Sequence, residues 1–260
     1  IVGFKPSLGA ISTEGVIPLA WTFDHVGILA RSVEDATIIH SVVSRQGRSV
    51  PVPNVGLSGL RFGFLEDLTV SRAIPEVAAD VSDVARRLDA AGADVEKAEI
   101  PHPAEWLECG RTIMACEAAT FHQDAFPSNR DDYREQMSML ISTGLSTPAT
   151  AYVRALRARD ALRAEARVLS SRFDALLLPT APAPAPQGLA STGDPALCAP
   201  ASFSGLPAVS LPTRLERTGL PLSVQLVGGP GGDRRLLAIA AEVERLLGFA
   251  ERPRVSWNGA

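Results

Sequence analysis

Hydrophobic and polar positions along this chain follow two periods, and the switching between them predicts alternating strands and helices. Leu60 to Leu65 (LRFGFL) is a short apolar run introduced by the turn residues Ser58-Gly59 and reads as a buried strand. Pro75 then opens a helix, because the missing proline N–H is no loss at a first helical position. Val77, Val81, Val84 and Leu88 follow at i, i+4, i+7 and i+11 and make one apolar stripe. Gly92 stands where a glycine ends a helix, and Ala93 to Ile100 resumes as an extended segment closed by Pro101. Strand, helix and strand between Leu60 and Ile100 form a βαβ unit, which demands parallel strands and a right-handed crossover.

Further along, Ala104 to Ser146 has a helical but irregular pattern, broken by the polar patch Asn129-Arg130-Asp131-Asp132. A long helix is expected after Pro148. Tyr152, Leu156, Leu162, Ala166 and Leu169 mark its apolar side, with Arg154, Arg157, Arg163 and Arg167 on a solvated face. Phe173 to Pro179 (FDALLLP) reads as a short buried strand. Thr180 to Gly188 (TAPAPAPQG) is too proline-rich for regular structure and reads as a stiff connector within one domain. Val209 to Leu211 and Ser223 to Val227 are two more strands. After Gly231-Gly232-Asp233, a last helix places Leu236, Ala240, Val243 and Leu247 on one stripe, with Gly248 at its end. The alternation predicts the α/β class: a mixed, largely parallel central sheet covered by helices.

Composition narrows the partners. With 46% apolar residues among 260, the chain can build a substantial core. A formal net charge of -4 lacks the clustered positive excess of a nucleic-acid footprint, and no apolar run approaches the roughly 18 to 20 residues that span a bilayer. No nucleic acid and no membrane are therefore expected as partners. Cys109, Cys116 and Cys198 show neither metal-ligand spacing nor the even count of a disulfide framework, and read as small buried hydrophobes of a cytoplasmic protein. His25, His40, His102 and His122 are joined by no metal-binding pattern, so neither a metal nor an organic cofactor is expected. His40 reads as a satisfied or exposed helical side chain. There is no G-x-S-x-G nucleophile turn. The opening Ile1-Val2-Gly3-Phe4 has no signal-peptide anatomy and reads as an internal cut of a longer chain.

Two long segments carry a family likeness. Gly3-Phe4-Lys5-Pro6-Ser7-Leu8-Gly9 is followed in order by Glu14-Gly15-Val16-Ile17-Pro18, Phe23-Asp24-His25-Val26-Gly27 and Ala30-Arg31-Ser32-Val33-Glu34-Asp35. Near the far end, Phe203-Ser204-Gly205-Leu206-Pro207-Ala208-Val209-Ser210-Leu211-Pro212 precedes Gly219-Leu220-Pro221-Leu222-Ser223-Val224-Gln225-Leu226-Val227-Gly228. Together these resemble the amidase signature family. The resemblance implies that residues 1–260 are the C-terminal part of a single amidase signature domain. It also implies hydrolysis of a carboxylic amide to an acid plus ammonia or amine.

In that family a serine attacks, a second serine in a cis peptide relays the proton, and a lysine is the ultimate base, while a Gly/Ser-rich loop supplies oxyanion donors. All of these match positions upstream of Ile1. Lys5 lies inside the G-F-K-P motif, after the nucleophile, and Lys97 sits in Val95-Glu96-Lys97-Ala98 without the surrounding pattern. No catalytic residue is therefore expected on this chain. It is expected to be inactive alone and to work as part of a longer or two-chain amidase, with an N-terminal amidase fragment as partner. The alternative is a noncatalytic small-molecule-binding or assembly module derived from an amidase.

The resemblance also implies substrate-binding residues. Asp24 matches the acid of the family's S-[LF]-D-x-x-G motif, and either holds catalytic loops through backbone N–H groups or caps the turn before Gly27. Leu197, Cys198 and Phe203 fall in Asp194 to Phe203 (DPALCAPASF), which corresponds to a segment lining the substrate cavity in relatives, with core packing as the alternative. The branch acting on misacylated tRNA uses an arginine for the substrate carboxylate and an acid for its amine. The corresponding region here reads Met137-Ser138-Met139-Leu140 and the acid is offset, as Asp194, which points to an uncharged or apolar amide. The expected partners are thus a small-molecule amide, an N-terminal fragment and, as a homo-oligomer, further copies.

Overall fold

The apolar runs become strands of one twisted sheet in the computed structural model, which describes residues 1–44 and 53–252. Residues 45–52 and 253–260, included in the expected single domain, lie outside the described residues. The strands are β1 (Val2–Lys5), β2 (Ile28–Ala30), β3 (Arg61–Phe64), β4 (Asp94–Lys97), β5 (Ala175–Pro179), β6 (Ala208–Leu215) and β7 (Pro221–Val227), in the spatial order β2-β1-β6-β7-β5-β3-β4.

The helices are α1 (Val33–Val43), α2 (Glu66–Arg72), α3 (Pro75–Ala90), α4 (Pro103–His122), α5 (Glu135–Ser146), α6 (Ala149–Ser171), α7 (Ala199–Ser204) and α8 (Asp233–Leu247). The expected βαβ unit is present, with β3 parallel to β4 and to β5. The sheet is mixed, as expected, but not largely parallel: β1 with β2, β1 with β6, β5 with β7 and β6 with β7 are all antiparallel. The cause lies in the connections. Glu216 to Leu220 is too short for a crossover and forces β6 and β7 into a hairpin, and β5 then joins this hairpin antiparallel to β7.

Period-2 alternation sends each strand's residues to two separate cores. On one face Phe4, Leu177, Val209, Leu211, Val224 and Leu226 pack under α1, α3 and α8, meeting Val81, Val84, Leu88, Leu236 and Val243. On the other, Leu176, Leu178, Ala208 and Val227 pack against Trp106, Ile113, Leu162, Leu169 and Leu197 from α4, α6 and the α7 region. Each fully buried Leu or Val contributes about 1.5–3 kcal/mol, so the α3 and α8 stripes read from sequence hold one layer and the α6 stripe the other.

Local signals set the helix ends. The Ser32 hydroxyl accepts the Asp35 N–H at 3.0 Å and caps α1. Gly92 and Gly248, at φ +89° and +62°, take the left-handed conformation that ends α3 and α8. Among the described residues no helix is long and apolar enough to cross a membrane.

Candidate functional site

A break in the second core opens the site. Over the sheet's middle, between the α7 segment and the β1–β2 edge, lies a depression of about 370 Å³. Its floor is a cross-strand row: Gly3 of β1 is paired with Ser210 of β6, and Ser210 with Gln225 of β7. Lys5, Ile28, Leu29, Thr180, Cys198 and Ser202 form walls. Two other depressions, about 410 Å³ beneath the proline-rich connector and about 460 Å³ beside α1, gather fewer converging polar groups.

The wall chemistry follows from what each polar group already touches. The Cys198 thiol donates to the Thr180 carbonyl at 3.0 Å, and burial pushes its pKa up, so it stays a neutral thiol. The Thr180 and Ser210 hydroxyls share a hydrogen bond at 2.8 Å. Lys5 donates to the carbonyls of Leu206, at 2.5 Å, and Pro6, at 3.1 Å, with His25 Nε2 at 3.4 Å. Burial lowers the Lys5 pKa to about 8, against the opposing pull of Asp233. Burial, then the Lys5 charge, lower His25 to about 4. His25 is therefore neutral at pH 7; its Nδ1–H donates to the Phe23 carbonyl, which leaves Nε2 as an acceptor facing Lys5.

Of the residues expected to bind substrate, Cys198 alone lines this depression. The Leu197 side chain is buried in the second core, and its carbonyl accepts from Gln225. Phe203 packs against Phe23 with ring centroids 4.6 Å apart and the planes tilted by 48°, and covers Gly110 of α4. Asp24 accepts the N–H groups of Leu19 and Ala20 at 2.9–3.2 Å and so ties the preceding turn.

That turn is clamped from the helical layer. The Glu117 carboxylate, 1% exposed, accepts the Thr22 N–H and hydroxyl at 3.1 Å and the Tyr152 hydroxyl at 3.0 Å. Burial, with Glu117 beside it, pushes the Tyr152 phenol up to about 12. Arg163 is not on a solvated face as its spacing suggested: it donates to the carbonyls of Phe203 at 2.7 Å and Thr22 at 3.3 Å. Arg154, Arg157 and Arg167 are exposed.

Sequence reasoning missed Gln225, Thr180 and Ser210. The available signal was an amide side chain, Gln225, set between the apolar Val224 and Leu226 of β7. His40 is neither exposed nor satisfied: it is buried edge-on to Phe4 with centroids 5.1 Å apart, and Nε2 has no partner among the described residues. The three cysteines are free. Among the described residues no group of three or more His, Cys, Asp or Glu could hold a metal ion.

A family model described as Amidase matches residues 1–237. The chain belongs to the Amidase family. It is 29% identical over 261 residues to the 2-amino-5-chloromuconic acid deaminase of Comamonas testosteroni, covering 95% of this chain and 56% of that protein. With the indoleacetamide hydrolase of Allorhizobium ampelinum it shares 31% identity over 284 residues, 96% of this chain and 60% of that one. A crystal structure of an amidase superposes with a TM-score of 0.85 at 31% identity, over 94% of this chain and 58% of its own. This Amidase-family chain thus spans less than two thirds of the length of these relatives.

Proposed function

We propose that this chain is the C-terminal part of a single amidase domain and supplies one wall of its substrate cavity. The complete protein hydrolyses a carboxylic amide to an acid and ammonia or amine, in the cytoplasm, a setting that suits its free cysteines. The observation that carries this reading is the match of residues 1–237 to the Amidase family, together with a polar-floored depression on the sheet those residues build. On this chain the groups lining the depression are a neutral thiol, hydroxyls, an amide and a lysine already engaged by two carbonyls. None is paired with a base in the way an activated nucleophile requires. The serine nucleophile, the relay serine and the lysine base come from N-terminal amidase sequence, whether joined to Ile1 or on another chain.

An uncharged or apolar amide suits a wall made of Ile28, Leu29, Ala201 and Ala208 around few polar atoms. Ammonia release from a panel of aliphatic and aromatic amides tests the proposal. The 260-residue chain alone is expected to release none, and the chain combined with its N-terminal portion is expected to turn over. Turnover by the repurified chain alone, or none by the combination, would overturn the reading, the latter in favour of a noncatalytic binding module.

A further inference from the structure

Gly3 is a glycine that the fold does not need. Its φ lies outside the left-handed region, so the backbone admits any residue. A Cβ built on it meets nothing nearer than Leu29 Cδ2 at 3.5 Å and Ser210 Cβ at 3.7 Å, which is ordinary contact. Gly63, also in a strand, makes the contrast: a Cβ there would press to 2.8 Å on Leu176 and Phe173. Glycine inside a strand costs stability, and where packing does not call for it, it marks a close approach by something else.

A second observation says what approaches. Gln225, next but one in the same cross-strand row, is 3% exposed. Its Nε2 donates to the Leu197 carbonyl at 2.8 Å and the Pro179 carbonyl at 3.4 Å. Both partners can only accept, which fixes the orientation of the amide. Its Oε1 then accepts no hydrogen bond among the described residues, although Gln225 lines the depression. Gln225 Oε1 is not among the buried atoms left without a partner, so this acceptor opens into the depression, where a ligand N–H can reach it. Beside it the Thr180 and Ser210 hydroxyls share one hydrogen bond, which leaves a single O–H and the remaining lone pairs for a ligand.

We propose that the row Gly3–Ser210–Gln225 seats the substrate's amide: Gln225 Oε1 accepts a carboxamide N–H, while Gly3 and Ser210 give clearance to a flat, uncharged acyl body lying across the sheet. The ligand class is a primary or secondary carboxamide with a planar apolar acyl group. This rests on the amide reading above and adds which residues orient the substrate and limit its thickness.

The test is a binding experiment on the ¹⁵N-labelled 260-residue chain, titrated with benzamide and with methyl benzoate, which has a similar body but no N–H. Benzamide is expected to shift the signals of Gly3, Ser210 and Gln225 and to bind about tenfold more tightly than the ester, the effect of one hydrogen bond. Gly3→Val is expected to weaken benzamide at least about tenfold while the thermal midpoint stays at or above that of the unsubstituted chain. If the valine variant does not fold, Gly3→Ala, whose methyl fits at the distances above, carries the same test.

Equal affinity for both probes, shifts confined to other residues, unchanged affinity in the Gly3 variants, or a lowered midpoint in Gly3→Ala would each overturn the proposal. Turnover is measured separately on the complete enzyme. Ammonia release with equal binding of both probes sinks the amide seat alone, whereas selective benzamide binding without turnover sinks the hydrolase reading and leaves the seat standing.

Discussion

Individual side chains in the site are governed by what burial does to charge. His25 is held down to about 4 first by burial and then by the Lys5 charge. In the unfolded chain it returns to the ordinary histidine value near 6.5. Below pH 6.5 the unfolded state therefore binds a proton that the folded state refuses until about pH 4, so stability falls through this window and the loss is complete below it. His40, also lowered by burial, acts with the same sign. The thermal midpoint is expected to drop between pH 7 and pH 4, and to drop less in His25→Asn, whose side chain can still donate to the Phe23 carbonyl. Parallel curves for the two proteins would show that His25 is not depressed. Asp24 illustrates a different limit of residue-level reading: its motif pointed to catalytic loops held through backbone N–H groups, whereas the N–H groups it accepts are those of its own turn, at Leu19 and Ala20.

Among the elements, the packing of α5 on α4 depends on one absent side chain. A Cβ on Gly144 would overlap the Ala115 carbonyl of α4 and crowd the Ala119 methyl. Gly144→Ala is therefore expected to destabilise the chain by about 1–3 kcal/mol, the usual cost of overpacking, read as a lower urea midpoint with an unchanged slope. A neutral effect would mean that α5 is free to move away. The α4–α6 pair carries the second element-scale device, since Glu117 and Arg163 reach from these helices to the backbone of Thr22. The turn is thereby set by the helical layer as well as by its own Asp24.

At the scale of the molecule, the β2 end of the sheet leaves apolar side chains exposed. Leu29 of β2 and Ile1 before β1 are exposed, and so are Ile38, Ile39, Val42 and Val43, which form an apolar face of α1. On the function proposed above, the N-terminal amidase portion is the occupant of this face. The isolated chain is expected to self-associate with rising concentration in sedimentation experiments, and Leu29→Lys combined with Val42→Lys to suppress this. The same double variant should fail to bind the N-terminal portion. A chain that stays monomeric at all concentrations and binds that portion equally well with or without the substitutions would place the contact elsewhere.

Most of the architecture was legible in the residues themselves, because helix stripes, terminal glycines and proline boundaries are local. Val77, Val81, Val84 and Leu88 could bury one face in only one conformation, and they do so on α3. The family motifs were likewise local strings: Ser32 to Asp35 is a helix cap, and Gly219 to Gly228 is a hairpin turn and its strand. What the string could not state was strand direction beyond the βαβ unit. Pairing joins segments far apart in sequence, and the short β6–β7 turn tipped the sheet towards antiparallel pairs. Nor could it separate Cys198, on the cavity wall, from its neighbour Leu197 in the core, or show that Arg163 turns inward to two carbonyls. Gln225 became a site residue only when β6 and β1 brought Ser210 and Gly3 beside it. The sequence by itself determined the elements and the family, because these depend on neighbours along the chain; the tertiary structure decided which side chains share a cavity, because that depends on neighbours across the sheet.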